Sequence, residues 1–523
     1  MKNRRLARTA ADKTVAYDRF SLKRRPPEQA LKRHGHVDEA ALILVCTGDL
    51  CYKKWMSRQV RPEISYPALP STPLTRLHKA GLGLLLLLFI GFGFMVELRG
   101  AFQHTRKTDA GVYMRAAWAV RTGGNLYSVT DDRGWHYAYP PFLAILMSPM
   151  ADPPHGASRE GYMPYSISLG LWYVLTLAMG LAGVHLLANA LEETSPDASV
   201  PEQPVFCRRW WAQRVLPLLI LLPAIGQSQG RGQVGLPVAF FLCCAAACLL
   251  RKKRFRAGLW LSAAICIKLI PAFLLLFPLW RRDLRMLSGS LTGLIAGMIV
   301  IPVTVMGPAR ALDSYRVFYH EVLLAGVTGN TKSVRAKELT GITSTENNSP
   351  MAIMHNLMYP AKKNRPSVAA RWVRAAHWGI SLLLTAVALF ASGLKWNGRI
   401  AGKIEAEPGE IVLFGTLIPA MLITSPVFHS HYVSMAIPLV SALLSVIWCK
   451  YSYAHMPLSW KITFLLLFIS QTVACIDRGI FLVVRDSGLV LLSTAILLSA
   501  SIYILRSARW SFFMASNGGG HAT

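Results

Sequence analysis

Ala80–Leu98 reads AGLGLLLLLFIGFGFMVEL, an apolar run with a single carboxylate near its far end. About 20 mostly apolar residues wound as a helix cross the ~30 Å hydrocarbon core of a bilayer. Outward from this run the pattern repeats at Ser166–Leu191, Gln233–Leu250, Ala257–Trp280, Met286–Met306, Ala376–Leu394, Ile411–Ser425, Tyr432–Cys449, Trp460–Ile476 and Ser487–Leu505. Shorter apolar pieces lie at Tyr137–Met150 and Val215–Ile225. The runs are continuous and lack the alternation of barrel strands, so helices must satisfy the backbone. The sequence predicts an all-α polytopic membrane protein, a bundle of about 10–12 membrane helices by hydropathy counting.

Composition agrees. Of 523 residues, 53% are hydrophobic and only 16% are charged, against ~25% in soluble chains. The net charge of +29 comes from basic residues that flank the apolar runs, as cytoplasmic loops of membrane proteins require. No nucleic-acid module contains them, so nucleic acid is not an expected partner and membrane lipid is. The Cys243-Cys244 pair has no ligand pattern around it and reads as apolar packing; no metal site and no cofactor is expected. Residues 1–79 hold 17 Lys/Arg against 7 Asp/Glu, too long and too charged for a signal-peptide start. They read as a basic, partly disordered cytoplasmic tail. A membrane domain is expected over 80–506 and a second cytoplasmic tail over 507–523.

Basic clusters set the orientation. Arg251–Arg256, Arg281–Arg285, the trio Lys395, Arg399 and Lys403, and the pair Arg506 and Arg509 are expected in the cytoplasm with the N-terminus. The first two bracket one apolar stretch, Ala257–Trp280. Both stay inside only if that stretch enters and returns. Its centre, Ile267-Lys268-Leu269-Ile270-Pro271, carries a charge and a helix breaker, which favours a broken or re-entrant element; the alternative is a plain helix with one of the two basic loops outside. Tyr137–Met150 is read as re-entrant or interfacial. The outer face then receives Arg99–His136, the loop Gly226–Gln233, the long loop Gly307–Ala375 and Phe428–His431.

Those outer segments carry the polar residues. Asp109 precedes Ala110–Val120, whose apolar residues fall at helical spacing, and Gly123-Gly124-Asn125 ends the pattern. An amphipathic interfacial helix is expected, with Asp109 as its N-cap. Read alone, this carboxylate is a cap first and a base second. In Gly226–Gly235, the amides of Gln227, Gln229 and Gln233 and the charge of Arg231 suit a hydroxyl-rich ligand, although glycine alone also explains a turn. Lys268 inside an apolar run should face a cavity or snorkel to an interface. Asn347-Asn348-Ser349-Pro350 and Ser425-Pro426-Val427-Phe428-His429-Ser430-His431 complete the set. His429 and His431 suit hydrogen bonding to sugar or phosphate better than metal, since no carboxylate lies near them in sequence.

Taken in order, these motifs resemble glycosyltransferase family 87, mannosyltransferases of the C-type fold that use polyprenyl-phosphate-mannose. Asp109 ahead of an aromatic helix, then Gly123-Gly124-Asn125-Leu126-Tyr127 and Tyr139-Pro140-Pro141-Phe142, resembles the family's opening. Gly226-Gln227 is similar to its Gly-Gln loop, Ala257-Gly258 through Lys268 and Pro271 to its Ala-Gly…Lys…Pro segment, and Asn348, His429 and His431 to its later marks. The resemblance runs from about Ala80 to Leu444; order and spacing carry it. The long basic tail and the doubled Gln-Gly segment depart from the pattern. The resemblance implies a lipid-linked sugar donor and Asp109 as general base in an inverting transfer on the non-cytoplasmic face. Tyr139, Gln227, Arg231, Gln233, Lys268, Asn348, His429 and His431 would bind the donor's sugar or phosphate. The acceptor is not specified. A small-molecule or lipid transporter shares the spans and the broken helix, but the sequence shows no internal repeat. With no retention signal at Gly518–Thr523, a bacterial inner membrane is expected.

Overall fold

The structure, a computed structural model, describes residues 73–102, 108–193, 205–324, 338, 341–391, 408–450, 456–476 and 479–516. The expected tail over 1–79 lies outside them except for its last seven residues. The first helix, Arg76–Ala101, begins inside that tail, where Thr75 Oγ1 accepts from the His78 N–H. The last helix, Leu489–Ser516, runs ten residues into the expected C-terminal tail.

The chain is an integral, multi-pass, all-helical membrane protein. Among the described residues seven helices are long and apolar enough to span: Arg76–Ala101, Tyr165–Glu193, Leu284–Met306, Arg371–Ala391, Ser430–Trp448, Leu458–Cys475 and Leu489–Arg506. Gly235–Leu250, Ile270–Arg281 and Gly409–Thr424 are shorter apolar helices. The helices sort by burial. Only 6% of the Arg76–Ala101 window is covered by protein, whereas 89% of Ser430–Trp448 is. Leu84, Leu86, Leu87, Leu88, Ile90 and Phe94 of the first helix all stand exposed. An apolar surface of that extent is stable against lipid and not against water.

The Ala257–Trp280 stretch is broken as its sequence predicts. One helix runs Arg254–Ile267, Lys268 is extended at φ −144° and ψ 128°, and a 3-10 turn over Ile270–Leu275 leads into Leu276–Arg281. The two ends meet. Arg254 pairs with Asp283 at 3.2 Å and with Glu410 at 2.5 Å, and Arg281 Nε lies 3.7 Å from Glu410. The flanking basic clusters therefore share one side, because the chain enters and returns. Gly258 permits the close packing behind this hairpin: a Cβ there would lie 2.1 Å from the Met286 carbonyl.

Tyr137–Met150 does not cross. Its helix spans only Pro141–Leu146, about 9 Å at 1.5 Å per residue, and the chain returns when the Asp152 N–H donates to the Met114 carbonyl at 3.1 Å. The expected helix after Asp109 forms over Ala110–Thr122 and ends at Gly123 with φ 77°. It is covered by protein on most sides instead of presenting one open face. Even Arg115 is buried, its charge met by Asp132 at 3.0 Å and Asp152 at 3.3 Å.

Candidate active site

The expected loop Gly226–Gln233 is mostly helix. Leu222–Gly230 is helical, and the turn is confined to Arg231–Val234. That turn anchors the start of the Ala110–Thr122 helix. The Asp109 N–H donates to the Arg231 carbonyl at 2.7 Å, Thr108 Oγ1 donates to the same oxygen at 3.2 Å, and Trp172 Nε1–H donates to the Gly232 carbonyl at 2.9 Å. Gly232 has φ 64°, and a Cβ on it would lie 2.5 Å from Thr108 Oγ1. Backbone sterics and this contact both require glycine there.

Asp109 sits at the N-cap position but does not cap with its side chain. Thr108 Oγ1 accepts from the Ala110 N–H at 3.2 Å instead. The freed carboxylate turns into a cavity. Its Oδ1 accepts from Arg133 at 2.7 Å and its Oδ2 from Gln233 Nε2 at 2.5 Å. Arg133 is itself held by Asp131 at 3.0 Å. The capping expectation fails because a buried neighbouring turn offers the carboxylate charge-assisted partners, which outweigh a neutral cap.

The cavity measures about 2070 Å³ and is lined by Asp109, Tyr139, Gln227, Arg231, Gln233, Lys268, His429 and His431. Residues expected from sequence separations of more than 300 positions thus share one space. Asn348 is not among the lining residues. Its N–H donates to the Phe428 carbonyl at 2.6 Å, and its Nδ2 donates to the Glu346 carbonyl at 3.0 Å. It fastens the segment that carries His429 and does not line the cavity. Of the three glutamines, Gln227 and Gln233 line the cavity. Gln229 turns away, accepting from Thr176 Oγ1 at 2.9 Å, because residues two apart on a helix point to opposite sides.

Lys268 occupies the break in the hairpin, 8% exposed, with Nζ 3.6 Å from the Tyr432 ring centroid and 5.6 Å from that of Tyr139. Its charge is held against aromatic faces at the cavity wall. Arg231 reaches Glu346 at 2.9 Å. Burial opposes the Glu346 charge, but the Arg231 hydrogen bond and charge hold its pKa below the ordinary value. His429 and His431 stack at 5.4 Å with 8° between planes. His429 Nδ1 donates to the Glu346 carbonyl at 3.2 Å, which leaves Nε2 as an acceptor in the neutral ring. Burial first, and then Arg231, pushes the His429 pKa down. A neutral His429 suits a sugar hydroxyl better than a phosphate oxygen.

Sequence reasoning passed over Arg133, Glu346 and Tyr113. Arg133 lies in the turn Asp131-Asp132-Arg133-Gly134, and nothing local distinguishes it from a solvated turn. Much of the remaining wall is apolar, with Leu85, Leu88, Phe92 and Met95 of the first helix, Phe273, and Leu382 of the Arg371–Ala391 helix, beside further polar groups that include Arg99, His136, Glu338 and Arg485. One space therefore joins a carboxylate, unlike cations, amides and phenols to a surface suited to hydrocarbon.

The profile of Glycosyltransferase family 87 matches residues 137–426. Two curated relatives share this chain's pattern. The polyprenol-phosphate-mannose-dependent alpha-(1-2)-phosphatidylinositol mannoside mannosyltransferase of Mycolicibacterium smegmatis is 28% identical over 203 residues, 37% of this chain and 43% of that protein. The protein of the same description from Mycobacterium tuberculosis is 27% identical over 255 residues, 47% of this chain and 56% of its own length. The match thus spans about half the length of these relatives. Among solved structures, ArnT from Cupriavidus metallidurans bound to undecaprenyl phosphate aligns over 80% of this chain and 77% of that one, with 14% identity and a TM-score of 0.36.

Proposed function

This chain belongs to glycosyltransferase family 87, and from that premise we propose that it transfers mannose from a polyprenyl-phosphate donor to an acceptor hydroxyl on the non-cytoplasmic face of a bacterial inner membrane, with its N-terminus in the cytoplasm. The donor class is taken from the two mycobacterial relatives, whose names specify polyprenol-phosphate-mannose. The observation that carries the reading is the shared lining of one cavity by Asp109, Lys268 and an apolar wall.

In the proposed step the acceptor hydroxyl gives its proton to Asp109 while its oxygen forms a bond to the anomeric carbon of mannose. The bond from that carbon to the phosphate oxygen breaks, and the electron pair leaves with polyprenyl phosphate. Attack opposite the leaving group inverts the anomeric centre. One negative charge is added to the phosphate as it departs. Lys268 stands in a dry wall where a fixed charge stabilises such a change more than water does. Arg231 supplies a second cation and is steered by Glu346. The Gln227 amide and the neutral ring of His429 suit sugar hydroxyls, and Tyr139 offers an aromatic edge beside them. The apolar residues of the first helix suit the lipid chain.

The test is purified protein in proteoliposomes supplied with radiolabelled polyprenyl-phosphate-mannose and extracted membrane lipids. A mannosylated lipid or glycan product is expected. Movement of label across the bilayer with no product would replace transfer by transport.

A further inference from the structure

Gln233 has both ends of its amide engaged inside the protein. Nε2 donates to Asp109 Oδ2 at 2.5 Å, and Oε1 accepts from Tyr139 OH at 3.1 Å and from Tyr113 OH at 3.3 Å. Gln233 is 8% exposed, and Tyr113 is 1% exposed. The orientation is determined twice over. An ionised carboxylate only accepts, so only the NH2 end of the amide can face Asp109. The phenols donate at the other end, since burial, foremost, and the nearby Asp109 charge push both phenol pKa values up and keep them protonated. With Gln233 on Oδ2 and Arg133 on Oδ1, the carboxylate is fixed at both oxygens. Each carboxylate oxygen keeps a second lone pair for an incoming hydroxyl.

We propose that Gln233 is a positioning residue, locked by Tyr113 and Tyr139, that aims the Asp109 carboxylate at the acceptor hydroxyl. This replaces the sugar-binding role expected for Gln233 from sequence, and it rests on the transfer reading given above. The groups facing the pair are Arg133 and Asp131 from the 131–134 turn, Arg231 from the glycine turn, Lys268 from the hairpin break, and Tyr432. Their charges act on Asp109 alike in the unchanged protein and in a Gln233 variant, so a difference in pH profile reports the substituted group.

The experiment is Gln233→Glu, assayed for mannosyl transfer across pH beside the unchanged protein. A protonated carboxyl reproduces the amide: its O–H donates to Asp109, and its carbonyl accepts from the phenols. Once deprotonated it sets two carboxylates against each other and loses the donor. The ratio of variant to parent activity should therefore fall at least about tenfold as pH rises through the titration of the introduced carboxyl, and recover on returning to acid. A variant whose profile runs parallel to the parent's overturns the proposal. Should Gln233→Glu fail to fold, Tyr113→Phe and Tyr139→Phe are combined. Either phenol alone satisfies Oε1; without both it is buried unpaired. The combined loss should exceed the product of the single losses by about tenfold. A simple product of the two overturns the proposal. Asp109→Asn run in parallel separates the two readings. If it keeps full turnover, the transfer mechanism through Asp109 fails; if it is inactive while Gln233→Glu tracks the parent, only the positioning role fails.

Discussion

Lys268→Met removes the charge from the hairpin break while keeping the length and apolar stem of the side chain. In the proposed reaction the leaving phosphate gains one unit of charge. A unit charge about 4–5 Å away, at an effective dielectric near 20, is worth about 3–4 kcal/mol. That corresponds to a loss of two to three orders of magnitude in kcat. The effect on folding is different. A lysine inside an apolar span costs about 2.5–3.5 kcal/mol on insertion scales, partly offset by a desolvated cation–π contact worth about 2 kcal/mol. Here the ammonium lies 3.6 Å from the Tyr432 ring centroid, so that contact is well formed. The difference makes the variant about 0.5–1.5 kcal/mol more stable than the parent. The assay pairs steady-state transfer from polyprenyl-phosphate-mannose with thermal unfolding in detergent. Activity down at least a hundredfold, with thermal unfolding at or slightly above the parent's, is the expected pair of results. A loss under tenfold would refute the electrostatic role, and a matching collapse of stability would make Lys268 structural.

Three further outcomes follow from the geometry. Arg254→Met leaves Glu410, 4% exposed, with Arg281 alone at 3.7 Å; stability should fall by about 3 kcal/mol, read by thermal unfolding. Gly232→Ala forces φ 64° on a β-carbon that meets Thr108 Oγ1. It should destabilise by at least about 1 kcal/mol and lower transfer about tenfold by moving Asp109. His429 is depressed below 6.5 in the folded protein, so the unfolded chain binds more protons there and stability rises with pH. Its contribution is present above pH 6.5 and is lost as pH falls through the folded pKa; His429→Phe should flatten that part of the stability profile.

The membrane architecture was legible because a span is a local property. Ala80–Leu98 needs no partner to be read, and the Lys268–Pro271 interruption announces its own break. The return of the hairpin was legible only through charge: two basic clusters cannot straddle one crossing. The site was half legible. Lys268 stands out because a charge inside an apolar run is costly, and His429 because it belongs to a His-x-His pair between two apolar runs. Arg133 and Glu346 do not, since each matters only through a partner 24 or 115 residues away. The glutamines were ambiguous for a different reason. Choosing Gln227 over Gln229 needs the helical phase of Leu222–Gly230, and the glycines there disguise a helix as a loop; Gln233 lies beyond that helix, in the turn that follows it. Asn348 misled because its buried amide serves the chain beside His429.

The central claim is that the carboxylate at the mouth of the Ala110–Thr122 helix takes the acceptor's proton. It is tested most directly by purifying Asp109→Asn beside the parent, matching their unfolding curves, and measuring mannose transfer from polyprenyl-phosphate-mannose. The account expects turnover to drop by at least about a hundredfold with donor binding retained. Equal turnover in the two proteins would contradict it.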